Sequence, residues 1–400
     1  MRAVAATPAP EVSVEPVVAP PPGNPRFPLV DGLRAVAALS VVVFHGAYLS
    51  GATSSWYGHF VGRLELGVAL FFAISGFLLY RPFFAAHYAG RPPIRTRDYL
   101  RRRVLRIVPA YWLALTALAI WPGLVGVFTG DWWVYYGFLQ IYELDTFFLG
   151  IQQSWSLCVE ATFYLVLPLY ALVLRKVCRA RAPREVVRIE IGVLVVLAVA
   201  ALAYRTLAVA SGSTVAFIWL PGMFDWFAPG MALAVVSVVI QEGGRDWRPA
   251  RLIAKRPAAL VGIAGALFVV LALVASPPVI TGTSYTQWEY FAIHVFSGAI
   301  AILLLLPAVI GADRASAVRR FLSLPLLAWL GLISYGIYLW HHTLMAWLYG
   351  KGVADWLPGL GFVVLTVVAL ALTLICAAAS YYVVERPILR FKDPRRRRAD

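Results

Sequence analysis

The chain has 400 residues, 61% of them hydrophobic and only 14% charged, with a mean hydropathy of +0.76. That composition belongs to a chain living in lipid and excludes a soluble globular core. The net charge of +15 invites a nucleic-acid partner, but nearly all 35 Lys and Arg stand in the connections between apolar runs. That placement points to membrane topology and to anionic ligands at one membrane face, and away from nucleic acid.

Residues 1–28 are rich in Pro, Ala and Val and carry Glu11 and Glu15. They lack a cationic start followed by an apolar core, so the expectation is a disordered Pro-rich cytoplasmic tail ahead of an uncleaved first anchor. Ten apolar runs follow, each near the ~20 residues that cross a bilayer. They fall at 29–50, 65–84, 104–122, 154–175, 190–209, 216–240, 258–276, 288–310, 326–348 and 358–384. A shorter aromatic run, 132–142, holds Trp132, Trp133, Tyr135, Tyr136 and Phe138 and reads as interfacial or re-entrant. The predicted fold is all-α, a polytopic membrane helical bundle of about ten transmembrane helices with both termini cytoplasmic. A short basic cytoplasmic tail, 391–400, closes it. With the N-terminus inside, the inward segments hold 31 of the 35 Lys and Arg, whereas the outward ones hold only Arg63, Arg205 and Lys351. Such a positive-inside bias sets the orientation and supports an even number of spans. The three cysteines, Cys158, Cys178 and Cys376, imply no disulfide framework and no metal site. No internal repeat is visible.

Polar residues inside the apolar runs are the candidates for chemistry. Arg34 and His45 stand eleven residues apart in the first run. On a helix that is about 1100° of rotation, so both fall on nearly one face, roughly 16 Å apart along the axis. A guanidinium at a helix centre costs about 2.5–3.5 kcal/mol on insertion scales, which argues for a polar pathway with something in it. The plainer reading lets Arg34 snorkel to the inner headgroups and His45 bond a neighbouring helix. Asp31 lies one turn before Arg34, where an intrahelical pair can form.

Arg102, Arg103 and Arg106 can share one helix face at the cytoplasmic mouth of the third run. A stop-transfer charge cluster explains some of them, but Arg106 already enters the apolar run, where a planar fork suits a phosphate-bearing ligand. Glu160, about one and a half turns into the fourth run, is roughly level with His45 if both helices stand upright. There it can orient an imidazole; a plain helix–helix hydrogen bond is an equal alternative. Asp225, His294, His341, His342 and Glu385 are the other polar residues in apolar runs. Tyr335 and His341 belong to the block Ser334–His341, and Glu385-Arg386-Pro387 reads as a charge-capped helix end. The Gly, Ala and Ser of Gly67–Leu79 read as close helix packing that can also line a channel.

These residues together resemble the acyltransferase-3 family of integral membrane acyltransferases, over about Phe27 to Arg390. The family pattern of Arg, ten residues, then His is met by Arg34 and His45, and its Arg-x-x-Arg by Arg103 and Arg106. The blocks Gly67–Leu79, Ser154–Glu160 and Ser334–His341 are further landmarks. Residues 29–390 are thereby identified as an acyltransferase-3 transmembrane domain. The resemblance implies transfer of an acyl group, commonly acetyl, from acyl-CoA as co-substrate to a hydroxyl of a glycan or glycoside, with no bound cofactor and with the lipid bilayer as setting. Many members carry a second acid after the Glu of the fourth span, and here that position is Ala161. Some members also carry an extracytoplasmic hydrolase-like domain; this chain shows none, so it is expected to act alone or with a separate partner.

On that basis the acyl-CoA phosphates are expected at Arg103 and Arg106, with Arg34 further in and the pantetheine arm running up the first helix. His45 is the expected general base on the acceptor hydroxyl, since an imidazole titrates near pH 6.5. Glu160 is its expected orienting partner; a covalent acyl-His step is the open variant. The rival reading is a transporter or flippase for an anionic lipid or glycan, which needs a similar polar pathway.

Overall fold

The structure, a computed structural model, describes residues 27–213, 215–243, 248–278, 285–311 and 316–392. Most of the expected tails, 1–28 and 391–400, lies outside these residues. A backbone with no water to bond must satisfy its polar groups internally, and each apolar run accordingly forms helix. The long helices are α1 (Leu29–Leu49), α2 (Gly67–Tyr88), α3 (Thr96–Leu118), α4 (Trp155–Val177), α5 (Pro183–Ala210), α6 (Leu220–Gly243), α7 (Pro257–Val274) and α8 (Gln287–Val309), then α9 (Pro325–Leu332), α10 (Ser334–Gly350) and α11 (Gly361–Ser380). Pro183, Pro257 and Pro325 open α5, α7 and α9, where a missing N–H leaves nothing unpaired. A reciprocal capping box between Thr286 and Glu289 opens α8.

Among the described residues nine helical stretches are long and apolar enough to cross a membrane, and α9 with α10 makes a tenth span. The ten expected runs are therefore the ten observed ones, with two differences. Helix α3 starts at Thr96 and α5 at Pro183, seven to eight residues early, because basic segments extend the helices past the apolar core. The ninth run is broken at Ile333, whose φ of −92° and ψ of 5° end α9. Ser334 Oγ donates to the freed Gly331 carbonyl at 2.8 Å there.

Close approach of backbones builds the centre. A Cβ on Gly76 would collide with the Phe227 carbonyl, and one on Gly230 with the Ala73 carbonyl, so α2 and α6 lock through facing glycines. Helix α1 is enclosed in the same way. Gly67 of α2 faces the Ala37 carbonyl, Gly331 of α9 faces the Asp31 carbonyl, and Gly46 of α1 itself faces the Thr366 hydroxyl of α11. With α2, α9, α10 and α11 around it, α1 turns both Arg34 and His45 into the bundle.

Between α3 and α4 the chain does not cross. It carries two short helices, Trp132–Tyr136 and Leu144–Phe147. Trp132 and Trp133 are exposed, while Gln140 and Ile141 are buried. The segment then dips into the protein. Gln140 Nε2 donates to Ser154 Oγ at 2.7 Å, Trp219 donates to the Ile141 carbonyl at 2.9 Å, and Gln153 Nε2 donates to the carbonyls of Tyr338 and Leu339 at 3.1 and 2.9 Å. Helix α4 therefore begins inside the bundle, not at its outer surface.

Candidate active site

Two cavities lie along α1, one above the other. The first, of about 120 Å³, is toward the basic end and is lined by Arg34, Arg103, Arg106, Glu160, Ser75 and Tyr335, among others. The second, of about 250 Å³, lies toward the other end and is lined by His45, Glu65, Arg205, Trp155, Trp226 and His294, among others. Tyr338 belongs to both walls. Its hydroxyl donates to the Gln153 carbonyl at 2.7 Å and lies 2.8 Å from Ser156 Oγ, and its ring is 6.0 Å from that of Phe71. Helix α10 thus reads as a depth scale. Tyr335 faces the first cavity, Tyr338 divides the two, and His341 stands beside His45, about 9 Å above Tyr335 at a helical rise of about 1.5 Å per residue.

The first cavity brings together Arg34, Arg103 and Arg106. Three guanidinium groups and one carboxylate share its wall, the combination that receives a polyanion through charge-assisted bonds. Arg34 has a loose partner in Asp31, 4.0 Å away, so the one-turn pair is present but weak. Arg103 lies over the Tyr99 ring at 6.0 Å, and its Nε has no hydrogen-bond partner among the described residues. Tyr335 donates its hydroxyl to the Ile107 carbonyl at 2.9 Å, which ties α10 to the helix bearing the arginines.

Glu160 is placed differently from expectation. It accepts a hydrogen bond from Ser75, and its charge acts on Arg34 and Arg103, so it belongs to the first cavity and not to His45. The reason is the dipping segment. Gln153 and Ser154 are already buried, so one and a half turns of α4 carry Glu160 past the level of His45 toward the basic end. Glu385 also departs from its expected capping role. A π-helical turn, Tyr381–Glu385, extends α11 and turns this side chain inward, where it is 2% exposed and acts on Arg106 and Arg34 from outside the cavity wall.

The partner of His45 is His341. His341 Nδ1 lies 3.0 and 2.9 Å from the carbonyls of Ile337 and Tyr338, so that nitrogen carries the proton and Nε2 is bare. His341 Nε2 lies 3.0 Å from His45 Nδ1, which is also 3.0 Å from the Val41 carbonyl. Both neighbours of His45 Nδ1 are acceptors, so Nδ1 carries the proton. His45 Nε2 is left with a free lone pair and no partner among the described residues. The His342 ring meets His45 edge-on at 4.7 Å. His341 was visible in its block and His342 beside it, but a pairing across 296 positions has no signal in one sequence.

Behind the second cavity's Glu65 and Tyr285, Arg63 is fully buried and donates to Glu65 at 2.9 Å, to the Ser276 carbonyl at 2.6 Å and to Tyr285 at 2.9 Å. Arg205 donates to the Phe217 carbonyl at 2.9 Å. His294 and Asp225 bond at 2.8 Å. Among the described residues no three His, Cys, Asp or Glu side chains converge as metal ligands.

A family described as "Acyltransferase domain" matches residues 27–382. The chain is 26% identical over 385 residues to the peptidoglycan O-acetyltransferase OatA of Listeria monocytogenes, covering 90% of this chain and 55% of that one. It is 26% identical over 378 residues to the putative peptidoglycan O-acetyltransferase YrhL of Bacillus subtilis, again covering 90% and 55%. It is 25% identical over 401 residues to the O-acetyltransferase OatA of Staphylococcus aureus, covering 91% and 58%. The chain thus spans little more than half the length of these relatives. No solved structure matches it.

Proposed function

Because the chain belongs to the acyltransferase-3 family of integral membrane acyltransferases, we propose that it moves an acyl group from acyl-CoA to a hydroxyl of a carbohydrate or glycosylated acceptor across the two stacked cavities. Relatives named for peptidoglycan O-acetylation favour acetyl as the group and a cell-envelope glycan as acceptor. The basic end is cytoplasmic in this reading, by the positive-inside bias.

The observation that carries the proposal is the pair of cavities meeting at Tyr338. One presents three arginines and the other an imidazole with a bare Nε2. The donor's phosphates bind Arg103 and Arg106 with Arg34 deeper, and the pantetheine arm enters the cavity and passes between Phe71 and Tyr338. The acceptor hydroxyl reaches His45 from the opposite end. His45 Nε2 takes its proton as the oxygen forms its bond to the acyl carbon, and the carbon–sulfur bond breaks. The leaving thiolate then receives that proton. His341 holds His45 in the required tautomer and accepts the hydrogen bond that strengthens while His45 is an imidazolium. Glu160 shapes the donor cavity and holds Arg34 and Arg103 toward it.

The test is transfer from labelled acetyl-CoA in membranes containing His45→Ala, together with mass spectrometry of envelope glycans and secreted glycosides from a deletion strain. We expect loss of transfer by about 10²–10⁴-fold, the range for a positioned base. Transfer at the wild-type rate by His45→Ala would remove the assignment. Passage of an unmodified lipid or glycan across liposomes would instead establish a transporter.

A further inference from the structure

His294 of α8 borders both the cavity of His45 and a smaller pocket of about 10 Å³ beside Arg205 and Tyr290, and is 1% exposed. Its Nε2 lies 2.8 Å from Asp225 Oδ1 of α6. A carboxylate only accepts, so Nε2 carries the ring proton and Nδ1 is a bare acceptor. That Nδ1 has no hydrogen-bond partner among the described residues. The Asp225 bond and the Trp226 stack hold the ring in this plane and orientation. Trp226 stacks on it at 4.2 Å and 17°, and Trp226 Nε1 donates to the His294 backbone carbonyl at 2.9 Å. A buried acceptor left unpaired carries an uncompensated desolvation cost, so a donor from a ligand is its natural complement.

Two imidazoles of one cavity therefore each keep a nitrogen that can only accept, Nε2 of His45 and Nδ1 of His294. A simple alcohol has one O–H and answers one of them. A sugar ring has several, with an apolar C–H face that suits the indole walls of Trp155 and Trp226. Charges on the wall do not call for an ionic ligand, since Glu65 is held by Arg63 behind it and Arg205 lies within electrostatic reach of Asp225.

Resting on the reading of this cavity as the acceptor site, we propose that His294, fixed by Asp225, receives a second hydroxyl of the acceptor sugar and so selects which hydroxyl meets His45. His294 is a positioning residue that sets the regiochemistry of transfer; it takes no proton itself.

The experiment measures binding of four methyl glycosides (glucoside, galactoside, mannoside and N-acetylglucosaminide) and their monodeoxy derivatives to the full chain in nanodiscs by tryptophan fluorescence. Acetyl-CoA binding is measured on the same preparations. His294→Phe keeps the aromatic stack on Trp226 and removes Nδ1. Asp225→Asn keeps the shape but allows its amide to donate to Nε2, which moves the ring proton to Nδ1. Each variant is expected to bind the preferred glycoside about five- to tenfold more weakly, as for one lost hydrogen bond, with acetyl-CoA binding unchanged. One monodeoxy derivative should lose affinity for the wild type and not for His294→Phe, a coupling that a merely structural histidine does not produce. Failure of all four glycosides to bind the wild type, or equal loss for every deoxy derivative in wild type and variant, would overturn the proposal. Absence of acetyl-CoA binding would overturn the donor-cavity reading and leave the saccharide result to decide this one.

Discussion

The tautomers of His45 and His341 are set by backbone carbonyls rather than by an acid. His341 gives its Nδ1 proton to the carbonyls of Ile337 and Tyr338, His45 gives its own to Val41 and His341, and the open lone pair ends at His45 Nε2. A neutral imidazole stabilises an imidazolium less than a carboxylate does, so the His341 contribution is modest. His341→Phe is expected to lower turnover about tenfold, the equivalent of one hydrogen bond near 1.4 kcal/mol, well short of the loss for His45→Ala. Initial rates with saturating acetyl-CoA check this. Glu160→Gln is expected to act differently, raising the acetyl-CoA KM more than it lowers kcat, because its partners are Ser75, Arg34 and Arg103, where the proposed function binds the donor. A kcat loss as deep as that of His45→Ala, with KM unmoved, would return Glu160 to the reacting centre.

At the scale of elements, function depends on helices that nearly touch. The facing glycines of α2 and α6 set Ser75, Phe71 and Phe72 on one cavity wall and Asp225 and Trp226 near the other. Gly230→Ala places a methyl against the Ala73 carbonyl, where only backbone can yield. The expected cost is about 1–3 kcal/mol, typical of overpacking, seen as a lower midpoint in a fluorescence thermal melt in detergent. The break at Ile333 matters for a similar reason. It separates α9, which packs against the start of α1, from α10, which carries Tyr335, Tyr338 and His341 past both cavities.

For the whole molecule, the proposed function places one substrate at each membrane face. In a chain with Cys376→Ser, a cysteine at the exposed Trp56 position is expected to react with an impermeant maleimide on intact cells, and one at the exposed Thr96 position only after lysis. The reverse pattern would invert the topology and the route. Arg103→Ala with Arg106→Ala is expected to weaken acetyl-CoA binding and to flatten its salt dependence, since two charge-assisted contacts to phosphate are removed. Equal binding by that variant and the wild type would reduce the cluster to a topology signal.

Much of this was legible in the chain itself. Long apolar runs must become helices in lipid, so the ten spans follow from composition and length. Arg34 and His45 share a face because helical rotation is regular, and Arg103 and Arg106 face one mouth for the same reason. What joins one helix to another is another matter. Glu160 stands level with His45 only if α4 starts at the outer surface, and the buried segment ending at Gln153 moves it down into the arginine-lined cavity. The His45–His341 and His294–Asp225 pairs link positions 296 and 69 apart. Periodicity states which way a side chain faces along its own helix. Only the packing of backbones, through glycines that admit a neighbour's carbonyl, decides which other side chain stands opposite.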